Sequence, residues 1–219
     1  MMDKKDFIYR TWPFLLIGFI YILVGMSLTK YYGTDNLHIL LNTYHAPLAD
    51  IFFRYFTRTG EALFGIIILI ACLWWMRYRD LMVILSSSVL QFIIVMGLKR
   101  TFFIHHLRPA YYFKEKEISL HLVENFKQSI TFTYPSGHAA TAFMLFLFLA
   151  LLTKNRWLQL VLGLISVLTA CSRIYLSQHF VEDTVAGALI GMLVVIVSYY
   201  LIYFREFPWM KKYVIKRSA

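Results

Sequence analysis

The chain has 219 residues, of which 59% are hydrophobic and only 16% charged. At roughly 20 apolar residues per helical span, that composition describes an integral membrane protein with six spans and short loops, and excludes a separate soluble domain. The formal charge of +10 suits contact with anionic lipid or an anionic substrate, but much of it falls in short loops where it sets topology, and no nucleic-acid partner is expected.

The apolar run from Trp12 to Leu28, preceded by Lys4, Lys5 and Arg10, reads as the first span. A cleaved signal peptide ending near Gly25 and Ser27 is the competing reading, and it lacks an A-x-A end. Residues 29 to 60 are mixed and aromatic with breaks at Pro47 and Gly60, and Leu37 to Phe56 reads as an amphipathic helix lying in the membrane interface. Five further spans follow: Glu61 to Met76, Leu81 to Leu98, Gly137 to Leu152, Leu158 to Leu176, and Thr184 to Phe204. The expected fold class is therefore all-α, a six-transmembrane-helix bundle with an interfacial helix between spans one and two, forming one membrane-embedded domain over residues 1–219. Cys72 and Cys171 both fall inside apolar runs, where cysteine behaves as a small buried hydrophobe.

Orientation follows from the cations. Twelve of the 22 lysines and arginines (Lys4, Lys5, Arg10, Arg77, Arg79, Lys154, Arg156, Arg205, Lys211, Lys212, Lys216 and Arg217) crowd into short turns and termini on one side. Positive-inside then puts both termini in the cytoplasm. On that topology three polar clusters meet at the opposite face: Lys99 to Pro109, Pro135 to His138, and Arg173 to Asp183.

The last cluster, SRIYLSQHFVED from Ser172 to Asp183, places charge beside apolar runs that normally exclude it. His179 and Asp183 stand four residues apart, one turn of a helix, where a carboxylate holds the imidazole and favours its cationic form. Arg173 then ends one span and His179 opens the next. Ser136 and Gly137 begin a helix, whose unpaired N–H groups and positive end form an anion site. The arginine fork binds two phosphate oxygens together, and histidine titrates near neutrality and suits proton work or attack. The evident ligand is a phosphate. There is no H-E-x-x-H, cysteine pair or carboxylate cluster to hold a metal, so transition-state charge falls to Lys99, Arg108, Arg173 and backbone amides.

Pro135-Ser136-Gly137-His138 and Ser172-Arg173-x5-His179-x3-Asp183 resemble the second and third signature motifs of the type 2 phosphatidic acid phosphatase superfamily, the membrane lipid phosphate phosphatases that share a core with vanadium haloperoxidases. Lys99 with Arg108-Pro109 resembles the first, Lys-x6-Arg-Pro, but eight residues separate Lys99 from Arg108 here, and Arg100 is the alternative to Lys99. The resemblance covers roughly residues 60 to 200. It implies that His179 is the nucleophile, that Asp183 orients it and stabilises its charge, and that His138 is the general acid and then the base that activates water. It further implies that Lys99, Arg108, Ser136, Gly137 and Arg173 hold the phosphate oxygens, without metal or cofactor, in a site opening to the outer leaflet of an inner membrane.

His105 and His106 read as exposed loop residues within the widened first motif. His38, His45 and His121 have no partner pattern and read as loop or interface positions. Glu61 reads as a membrane-edge partner of Arg58, and the many tyrosines as an interfacial belt. The expected activity is hydrolysis of a lipid phosphomonoester or diphosphate, undecaprenyl diphosphate or a lipid A phosphate first. Phosphatidylglycerophosphate and phosphatidic acid are alternative substrates. A lipid-linked phosphotransferase, and a non-catalytic binder or transporter that keeps the phosphate cradle, are alternative functions.

Overall fold

The structure, a computed structural model, describes residues 6–205 and 207–215. Lys4, Lys5, Lys216 and Arg217, used above for topology, lie outside them. The α-helices of the described residues are α1 Asp6–Tyr32, α2 Thr34–Thr43, α3 Pro47–Phe56, α4 Ala62–Cys72, α5 Tyr78–Thr101, α6 Pro109–Glu115, α7 Gly137–Leu152, α8 Arg156–Tyr175 and α9 Val181–Tyr203, with a long non-helical excursion over residues 116–136. Of these, α1, α5, α8 and α9 are long and apolar enough to cross a membrane, and α3 with α4 makes a fifth such element bent by 61°. The protein is an integral membrane protein.

The starts of the helices are written into the sequence. Ser136 caps α7 by accepting from the Ala139 N–H at 3.4 Å, and Asn155 caps α8 by accepting from the Leu158 N–H at 3.2 Å. At α5 and α9 the third residue does the same work in reverse. Asp80 accepts the Arg77 N–H, and Asp183 accepts the Phe180 N–H, each at 2.9 Å. A carboxylate in the first turn also suits the positive end of the helix.

At the centre stands α7, with Phe143, Leu147 and Phe148 fully covered and with α1, α5, α8 and α9 packed around it. The outward faces of the surrounding helices, for instance Phe19, Leu85, Phe92 and Leu193, stay exposed, as lipid-facing residues must. In lipid, apolar side chains gain little by turning inward, so close van der Waals approach holds helices together. The tightest approach is α9 on α7. A Cβ at Gly187 would sit 2.4 Å from the Ser136 carbonyl oxygen, and one at Gly191 would sit 2.3 Å from that of Ala140. Because the obstacle is backbone, nothing can swing aside. We expect Gly187→Val to lower the unfolding temperature in detergent by roughly 5 °C, the size of an overpacking penalty of about 1–3 kcal/mol; circular dichroism checks this.

The structure departs from the sequence expectations at several places. Leu37 to Phe56 is not one helix: the chain leaves helical geometry at residues 44–46, and Pro47 starts α3 as a first-turn proline. The first span is longer than Trp12 to Leu28 at both ends, because the polar residues that flank it are good enough helix formers to continue it. The span read as Glu61 to Met76 is helical only to Cys72, with Glu61 as its N-cap residue. No ion pair joins Glu61 to Arg58 among the described residues; the Arg58 guanidinium instead lies over the Tyr55 ring at 5.3 Å.

Candidate active site

The ends of α5, α7, α8 and α9 meet at one end of the bundle and bring the three polar clusters together. His179 does not open a helix, as its spacing from Asp183 suggested. It sits in the link between α8 and α9, one residue before the Phe180 cap. The pair still meets, because Asp183 reaches back to cap its own helix: its Oδ2 accepts the Phe180 N–H at 2.9 Å and lies 3.3 Å from His179 Nδ1. Thr133 donates to the same oxygen and lies 3.4 Å from Nδ1. With Nδ1 facing a carboxylate, that nitrogen carries the proton and Nε2 keeps its lone pair.

His179 is 1% exposed. Burial first, then the charges of Arg108, Arg173 and Lys99, hold its imidazole well below 6.5. The carboxylate was expected to favour the cationic form. Instead, burial and three neighbouring cations act against the cationic form that Asp183 favours.

The cations are placed by neutral acceptors. Lys99, almost wholly buried, donates to the Phe132 carbonyl, whereas Arg100 is exposed, so the eight-residue spacing leaves Lys99 pointing into the cluster. Arg108 donates to the Thr131 carbonyl at 3.0 Å and to Gln178 Oε1 at 2.7 Å. Arg173 donates to Thr57 at 2.7 Å and to the same Gln178 oxygen at 3.4 Å. Its Nε, fully buried, has no protein partner. Arg173 therefore does not pair with Asp183; its carbonyl accepts the backbone N–H groups of Gln178 and His179 at 2.9 and 3.2 Å, which folds the link back over its own helix end.

Ser136 and Gly137 stand at the start of α7, and the Ser136 N–H donates to the Asp183 carbonyl at 2.9 Å. His138 follows one residue on. Its Cβ and carbonyl are each 2.9 Å from where a Cβ of Gly60 would stand, so the bend between α3 and α4 fits against this turn. Among the described residues, no group of three or more His, Cys, Asp or Glu is arranged to hold a metal ion.

Sequence reading missed three residues. Gln178 links the two arginines and is 2% exposed, and Thr133 joins Asp183 to His179. They stand directly before His179 and two before Pro135, and only the fold shows that they are buried. His38, assigned to a loop or interface, is 1% exposed, stacks on Phe113 and lies 3.2 Å from the Ser177 hydroxyl. Burial lowers its pKa to about 4, so it supports the His179 link as a neutral ring. His121 also has partners: it sits 3.0 Å from Asp50 and stacks on His45. His105 and His106 are exposed, as expected.

Residues 80–207 match the model of the PAP2 superfamily. The chain is 30% identical over 173 residues to a lipid A 4'-phosphatase of Bacteroides thetaiotaomicron, covering 71% of each chain. It is 35% identical over 72 residues to phosphatidylglycerophosphatase B of Bacillus subtilis, which covers 29% of this chain and 36% of that one. Among solved structures, Aquifex aeolicus LpxE superimposes with a TM-score of 0.65 at 28% identity, over 75% of this chain and 93% of that one. The transmembrane PAP2-type phosphatidylglycerolphosphate phosphatase of Bacillus subtilis shares the fold, with a TM-score of 0.59 at 18% identity over 91% and 99% of the two chains. The matched residues run from the first turn of α5 through all three polar clusters to the end of α9, and the chain belongs to the PAP2 superfamily, a family of phosphatases.

Proposed function

We propose that this membrane lipid phosphatase removes a phosphate from a lipid A-type phosphorylated saccharolipid, by way of a phosphohistidine on His179. The observation that carries the reading is the convergence of Lys99, Arg108 and Arg173 on a buried His179 whose Nδ1 faces Asp183. Nε2 attacks phosphorus while His138, bearing a proton that arrives with the phosphate group, protonates the departing lipid oxygen. The N–P bond forms as the P–O bond breaks, and the imidazole becomes cationic, which Asp183 then stabilises. His138, now neutral, takes a proton from water, whose oxygen attacks phosphorus and releases phosphate and His179. Lys99, Arg108, Arg173, the Ser136 hydroxyl and the Gly137 N–H hold the non-bridging oxygens.

The whole chain acts as one membrane domain. Six crossings are formed by α1, the bent α3–α4 pair, α5, α7, α8 and α9; α7 is 16 residues long, about 24 Å, and is surrounded by protein. Both termini lie in the cytoplasm, and the site opens to the outer leaflet of the inner membrane. Arg10, Arg77, Arg79, Lys154 and Arg156, gathered at the far end, support that orientation.

The lipid A 4'-phosphatase supports the saccharolipid through its coverage of most of the chain, whereas the phosphatidylglycerophosphatase matches a short stretch. The test is phosphate release by purified protein, with a chelator present, from lipid A, undecaprenyl diphosphate, phosphatidylglycerophosphate and phosphatidic acid. Turnover of lipid A that outruns the other three is the expected result. Preference for a glycerolipid or the isoprenoid would overturn the substrate, and no release from any, with metal restored, would leave a binder or a transferase.

A further inference from the structure

The helices that carry the His179 site at one end enclose a second charged cavity at the other, of about 820 Å³. Leu151 and Leu152 at the end of α7, Arg156 at the start of α8, Tyr203 at the end of α9, and Arg77 and Arg79 at the start of α5 border it, with Arg10 of α1 and Lys154. Among the described residues, five cations and one carboxylate, Asp80, border it. That carboxylate is already engaged, accepting the Arg77 N–H at 2.9 Å and the Tyr203 hydroxyl at 2.6 Å.

Topology alone requires cations on this side, but not on the wall of a cavity. Three of the guanidinium groups rest on aromatic rings: Arg79 over Tyr203 at 4.3 Å, Arg156 over Tyr9 at 5.0 Å and Arg77 over Tyr213 at 5.4 Å. Stacking fixes an arginine by its face, and a planar guanidinium held that way presents its edge to oxygen atoms; Arg77, with Lys154, is the pair on which anion binding rests. Arg156 uses one nitrogen on the Arg10 carbonyl and Gln159, at 3.0 and 3.1 Å, which holds α8 against α1 across the cavity. Apart from Thr153, the rest of the lining is apolar or aromatic, including Trp75 and Tyr213, residues suited to the level of lipid headgroups.

We propose that this cavity is a binding site for a phosphate-bearing anion, supplied by the headgroup of an anionic lipid in the leaflet opposite the His179 site. The chemistry, several fixed cations around a phosphate with an apolar rim for the glycerol and upper acyl chain, is independent of the reaction at His179. A soluble phosphate compound would share the cationic contacts without using the apolar rim.

The test compares the full-length protein with R77Q/K154Q, by native mass spectrometry from detergent containing phosphatidylglycerol or phosphatidylcholine, and by thermal unfolding with inorganic pyrophosphate. Phosphatidylglycerol should be retained by the wild type in preference to phosphatidylcholine, with affinity falling roughly tenfold or more in the double variant. Phosphate release, which does not use these residues, serves as the folding control and should be unchanged. If pyrophosphate stabilises the wild type but not the variant while neither lipid is preferred, the lipid assignment is overturned in favour of a soluble anion. Equal retention and equal stabilisation in both proteins would overturn the site altogether and leave the cations a purely topological role. Should the double variant fail the folding control, Lys154→Gln, at an exposed position, carries the same comparison.

Discussion

His179→Gln should reduce phosphate release by about ten-thousand-fold or more, the loss seen when a covalent nucleophile is removed from an otherwise intact site. The amide is close in volume to imidazole but has no nitrogen lone pair for attack. Its effect on folding should be small. Asp183 keeps the Phe180 N–H and Thr133 as partners, so the cap of α9 survives. His179 is buried, and the tolerance comes from the remaining partners of Asp183. Unfolding temperature and single-turnover kinetics separate the two quantities. In the wild type, the acid limb of the kcat/KM profile due to His179 should lie below 6.5, because protonation removes the nucleophile and the site resists it. A limb above that value would mean that Asp183 outweighs the three cations after all.

Arg173→Lys should lower kcat/KM by roughly a thousand-fold, about 4 kcal/mol of transition-state stabilisation. Its Nη1 and Nη2 are directed at Thr57 and Gln178, and Nε is buried without a protein partner. A buried donor of this kind is costly unless something meets it, and a phosphoryl oxygen is the group that the surrounding charges select. Lysine keeps the charge but loses the planar fork, so it reaches either Thr57 or the phosphate but not both together. A drop confined to kcat would place the contact in the transition state alone; a rise confined to KM would make Arg173 a binding group.

Much of this site was legible in the sequence because its chemistry is carried by residues that membrane helices otherwise avoid. Charged groups beside apolar runs marked Arg173, His179 and Asp183, and the Ser-Gly start marked α7. Gln178, Thr133 and His38 were invisible for the opposite reason: neutral polar residues are ordinary at helix ends, and only folding reveals that they are buried between charges. The state of His179 was misjudged because the spacing shows one carboxylate, while the cations that outweigh it come from α5, α8 and the loop before α6. The break at residues 44–46 was marked by Pro47 but read through as one amphipathic helix, and the break after Cys72 was obscured by apolar composition, which marks what can enter lipid but not where the helix stops.

The contact of Gly187 and Gly191 with the backbone of α7 has a consequence for the surroundings of the enzyme. His138 rides on α7 and Asp183 on α9, and two rods in backbone contact cannot slide along each other without lifting apart. A thinner or thicker bilayer will be accommodated by tilt of the outer helices, whose exposed faces meet the acyl chains. We expect the spacing of His138 and Asp183 to be insulated thereby from hydrocarbon thickness, so that turnover changes little between membranes of different composition.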